Sequence, residues 1–169
     1  MTNTFQKTLE NLPEIFIQNS SAIAARLVSR MQRQMETDVA ALNTGYLMLL
    51  LKMSSSDLVV EFEKVLRAAM ARARSEVNGS GFSFEFSIAG EIDSSMLESD
   101  RAFQSLQAKS RSCGALSLAA FSPQALLKCV NEAMAGARIS ETDIQALAPF
   151  VRQALNTELV AIYQKLINL

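Results

Sequence analysis

Residues 81 to 90 read Gly81-Phe82-Ser83-Phe84-Glu85-Phe86-Ser87-Ile88-Ala89-Gly90, the one stretch where the apolar period changes from helical to two. Phe82, Phe84, Phe86 and Ile88 point one way and Ser83, Glu85 and Ser87 the other, which predicts a strand with one apolar and one polar face. A lone strand cannot satisfy its own backbone N–H and C=O groups. A pairing strand is therefore expected, in this chain or on another molecule. Within the chain the matching segment is Ala115 to Phe121, where Leu116 and Leu118 alternate with Ser117 and Ala119. Strand, helix and strand in that order suit a right-handed parallel crossover. Parallel sheets are normally covered on both faces, however, and Ser83, Glu85 and Ser87 ask for water. Antiparallel pairing and pairing across a dimer axis both stay open.

Everything outside these two segments reads as helix. Phe5, Leu9 and Leu12 form a short leading helix, and Asn11 is placed to cap a second one that carries Pro13 in its first turn. From Ile15 to Met53 the apolar positions Ile23, Leu27, Met31, Met35, Val39, Leu42, Tyr46, Leu50 and Met53 recur at three or four. Breaks are expected at Asn19-Ser20-Ser21 and Asn43-Thr44-Gly45. Ser54-Ser55-Ser56-Asp57 reads as a stop and restart, followed by a helix from Asp57 to about Val77 with Leu58, Phe62, Val65, Leu66, Ala69, Met70 and Ala73 inward. Asn78-Gly79 ends it. A helix of low apolar content spans Ser94 to Arg111, with Met96, Leu97, Phe103 and Leu106 as its inward residues. Ser122-Pro123 starts another that ends at Gly136. Ser140 starts the last, in which Pro149 predicts a kink or break near Ala148.

The predicted fold is thus mainly α, of α+β type: one helical domain over residues 1–169, a bundle of six to seven helices with a minimal two-stranded β element near 82–88 and 115–121. With 169 residues, 49% apolar and 20% charged, the chain is long enough for a real core and too apolar for disorder.

The absent residue types narrow the chemistry. There is no histidine, which removes the usual general base, the Ser-His and Cys-His pairs and imidazole metal ligation together. Cys113 and Cys129 alone make no ordinary zinc site. No phosphate-binding glycine motif occurs among six glycines. The acidic run Glu91 to Asp100 lacks the ligand spacing and central glycine of a calcium loop, and fits the first turns of a helix instead. No catalytic residues, no metal site and no cofactor are expected, and the chain reads as a non-enzyme. The amino terminus does not read as a secretion signal, no apolar run is long enough for a bilayer, and the two cysteines read as reduced thiols, so a cytoplasmic setting is expected.

The function expected from these features is that of a protein-interaction or regulatory module, with a protein partner or a homodimer. Its candidate surfaces are an apolar helical face or the exposed strand Phe82, Phe84, Phe86 and Ile88. An alternative is a small-molecule sensor with an apolar pocket in which Arg30, Arg67 or Tyr163 supplies a polar contact. Nucleic-acid binding ranks below both. Arg26, Arg30 and Arg33 form a candidate anion-binding face on one helix and Lys64 to Arg74 is locally basic, but the net charge is −1 and no aromatic residues interleave with the arginines.

Overall fold

The computed structural model describes residues 2–38, 44–78, 94–112 and 118–169, all of them helices and their connections. In chain order these are α1 (Thr2–Glu10), α2 (Leu12–Gln18), α3 (Ser20–Thr37), α4 (Thr44–Asn78), α5 (Leu97–Ser112), α6 (Pro123–Gly136) and α7 (Glu141–Ile167). Single 3-10 turns precede α5 (Ser94–Met96) and α6 (Ala119–Phe121).

The helical bundle expected from the sequence is present. No strand occurs among the described residues. Phe82, Phe84, Phe86 and Ile88 lie outside them, as do residues 115–117. The described end of the expected second strand is not extended: Ala119, Ala120 and Phe121 form a 3-10 turn, closed by the bond from the Phe121 N–H to the Leu118 carbonyl at 2.9 Å. Local alternation over so few residues yields here to the turn that leads into the Ser122 cap, where Leu118 and Phe121 are both buried.

Helix ends follow side-chain chemistry. The hydroxyl oxygens of Ser122 and Ser140 accept from the N–H of Ala125 and Asp143, each at 3.2 Å, and start α6 and α7 as expected. Asn11 does not cap α2 as expected, whereas Asn19 marks the expected break between α2 and α3. Their amides donate back to the carbonyls of Lys7 and Ile15, at 2.9 and 2.7 Å, so they close the preceding helix and leave the next one without a side-chain cap. α6 stops at Gly136, but the left-handed residue is Arg138, at φ 64. Gly136 lies against the Glu61 side chain, whose flexible end, Oε2, a Cβ there would meet at 2.5 Å.

Pro149 does not interrupt α7, which is continuous from Glu141 to Ile167. Proline has no N–H to offer the carbonyl of Gln145, and Gln145 is exposed, so that group is open to water and the lost bond costs little.

The contacts fix relative directions. α3 returns antiparallel along α4, and α6 along α4, where Gly136 meets Glu61. α7 runs parallel to α5: Asn156 accepts from the Ser99 N–H at 2.9 Å, Tyr163 stacks on Phe103 at 5.5 Å, and Lys109 Nζ donates to the Ile167 carbonyl at 2.6 Å. Lys109 also lies 4.2 Å from the centre of the Phe5 ring, which ties α1 to this end. α7 packs on α3, α5 and α6 and is the central element.

The buried apolar side chains form one continuous cluster, with Leu51, Leu66, Met70, Leu106, Ala133, Met134, Leu147 and Tyr163 fully enclosed. Tyr163 donates its hydroxyl to the carbonyl of Phe121. Burial, more than nearby Asp100, pushes its pKa well above the usual value. No helix among the described residues is long and apolar enough to cross a membrane.

Candidate interaction surface

α4 is the longest helix, 35 residues, or about 52 Å at 1.5 Å per residue. It runs straight through Ser54-Ser55-Ser56-Asp57, where the sequence predicts a stop. Serine costs a helix only a few tenths of a kcal/mol relative to better formers, and burial of Leu51, Leu58 and Phe62 on one face outweighs that. Ser55 also turns its hydroxyl back to the Lys52 carbonyl at 3.1 Å, so it does not compete for a cap.

The phase of this helix differs from the sequence reading. Tyr46 and Met53 are 55% and 75% exposed, whereas Leu47 and Leu51 are buried. The run Tyr46 to Leu51 is apolar at every position, so a three-four periodicity can be started on either side. Packing against α3 and α6 selects 47, 51, 58, 62, 66 and 70 for the core.

The outward face that results carries four large apolar side chains: Tyr46, Leu49, Met53 and Val60, between 55% and 75% exposed. Their spacings of three, four and seven place them in one row opposite the core side of α4. At the head of the row Tyr46 donates its hydroxyl to Asp143 Oδ2 at 3.0 Å, joining α4 to the first turn of α7. That bond, with the charge of Asp143, raises the Tyr46 pKa.

Beside the row, between α3 and α4, lies an open groove of about 620 Å³. α3 contributes Ala25, Val28, Ser29 and Gln32, and α4 contributes Lys52, Ser55, Ser56 and Val59. Small side chains on both walls keep it shallow and broad. The serines misread as a helix break are thus the wall of this groove.

The other sequence-predicted residues are scattered. Arg26 and Arg30 both reach across to Glu158 on α7, Arg26 through a short Nε bond and Arg30 at 3.2 Å. Arg33 is exposed further along α3. Two of the three members of the candidate anion-binding face are therefore occupied by a carboxylate of the same chain. Arg30, Arg67 and Tyr163 are not brought together: Arg67 pairs with Glu63 at 2.9 Å on α4, and Tyr163 is in the core. Cys129 is buried on α6, and burial, with Glu132 adding to it, pushes its thiol up to about 11.

The outward row on α4 is what the sequence reading missed, because its apolar series runs through Tyr46, Leu50 and Met53 and passes over the buried Leu47 and Leu51. The available signal was an apolar run too wide for one face. Compared with protein-family models, curated proteins and solved structures, the chain matches none.

Proposed function

We propose that the chain is a non-enzymatic protein-interaction module whose docking surface is the outward face of α4. The observation that carries this reading is the row Tyr46, Leu49, Met53 and Val60, each more than half exposed on one side of one helix. Single apolar residues at a surface are ordinary. A row of four is costly to hydrate and matches what an amphipathic partner helix covers. The apolar segment Phe82 to Ile88 is a further docking element of the same class, and a reduced cytoplasmic setting fits the cysteine content.

Small-molecule sensing is the second reading and draws on the open groove between α3 and α4. Within it Gln32 and Lys52 would supply the polar contacts.

A photo-crosslinking residue at position 53, with another at exposed Arg101 on α5 as control, tests the docking surface in extract of the source cell. Adducts at 53 that disappear with Leu49→Glu are expected. Equal yields at both positions would overturn the proposal.

A further inference from the structure

We infer that the occupant of the α4 face is a second copy of this chain, laid antiparallel along it; this rests on the docking surface proposed above and names its partner. The outward positions 46, 49, 53, 56, 60 and 63 alternate by three and four, the spacing of a two-helix seam. A two-fold axis midway between residues 54 and 55 reverses the second copy. It sets Leu49 against Val60 and Met53 against Ser56, each pair occurring twice. The most exposed side chain of the row, Met53 at 75%, thereby meets one of the smallest residues on the seam. Unbranched and flexible, Met fills such a gap well.

Charge selects this direction. Tyr46 and Lys64 are about five helical turns apart and so project from the same flank of α4. Asp143 sits on that flank, held by the Tyr46 hydroxyl. Lys64 is 76% exposed and only loosely paired, 3.8 Å from Glu61. In the antiparallel arrangement like flanks meet, and Tyr46 lies beside residues 63 and 64 of the other copy. Asp143 then faces Lys64 across the interface, twice. In a parallel pair each flank would instead meet the opposite one, and Asp143 and Lys64, at different levels of α4, would not face each other.

The area is sufficient but small. Four side chains more than half exposed, with the flanks beside them, give a total buried area of about 1,000 Å² for two copies, the lower edge for a specific interface. An interface at this edge is of the weak, transient class, for which micromolar concentrations are the range to search.

Sedimentation velocity of the full chain from about 1 to about 200 μM spans that range. A monomer–dimer equilibrium is expected, weakened by about 30-fold or more in Leu49→Glu, as for a central interface residue, and unchanged in Arg101→Glu. Register is read by mixing Leu49→Cys with Val60→Cys, both in a Cys113→Ser background, under mild oxidation. A disulfide between the two variants should exceed either self-linked product. Predominant self-linked products would overturn the antiparallel arrangement. A chain monomeric at the highest concentration, or a dimer indifferent to Leu49→Glu, would overturn the second copy as occupant. Adducts of a different mass at position 53 would then still support the docking surface with another partner, whereas no position-specific adduct would remove both.

Discussion

Arg26 on α3 and Glu158 on α7, 132 positions apart in the chain, form an ion pair in which the carboxylate is 4% exposed and the guanidinium 50%. Arg30 approaches the other carboxylate oxygen. The buried partner has the most to lose, because the arginines can return to water and Glu158 cannot.

That asymmetry predicts a graded cycle. Arg26→Ala should cost no more than about 1 kcal/mol, since Arg30 remains and the lost group is half solvated. Removing both arginines strands a buried carboxylate and should cost about 3 to 5 kcal/mol. Adding Glu158→Gln to that double variant should recover stability, a sign opposite to that of most third mutations. Urea unfolding of the four proteins measures it, and further loss in the triple variant would show that the carboxylate is not the destabilising group.

Tyr163→Phe isolates one buried hydrogen bond. The ring keeps its place against Phe103, while the Phe121 carbonyl loses its donor. The expected cost is about 1 to 2 kcal/mol, or roughly 3 to 6 °C in Tm for a chain of this size. An unchanged Tm would mean that this carbonyl is satisfied by another group.

Cys129 makes stability fall on the alkaline side. Its folded pKa is raised to about 11 from an ordinary 9.0, so the folded state holds the proton more tightly than the unfolded chain does. The contribution is fully present below pH 9 and is lost as pH rises from 9 to 11, by about 2 kcal/mol at pH 10.5. Tyr163, also raised, adds a loss of the same sign at higher pH. Comparing unfolding at pH 8 and 10.5 should show a smaller decline in Cys129→Ala than in the parent, whatever the variant's starting stability. Equal declines would contradict the burial of the thiol.

Much of the fold is legible where chemistry is local. Ser122-Pro123 and Ser140 announce α6 and α7 because a hydroxyl bonds an N–H three residues on, a rule independent of the rest of the chain. Ser54 to Asp57 mislead because the same residue type loses to burial of Leu51 and Leu58, which α3 and α6 enforce from a distance. Of the kink or break that Pro149 allows, the break does not occur, since Gln145, whose carbonyl the proline cannot serve, is exposed and the lost bond costs little. The candidate site divides in the same way. Arg26, Arg30 and Arg33 are visible as one helical face, but their relation to Glu158 depends on how α7 crosses α3. The row on α4 was hidden by abundance: six consecutive apolar residues specify a helix of some kind without specifying which side turns inward.

The central position of α7 also bears on the order in which the chain leaves the ribosome. α3, α5 and α6 are all translated before the helix whose surface they share, and α3 must wait for a carboxylate at residue 158. Until then the residues they bury against α7, Phe103 beneath Tyr163 among them, have no permanent cover. Early segments can form helices as they emerge but cannot close the core, so folding of this chain is deferred in time and its nascent form is the one that needs protection from other apolar surfaces.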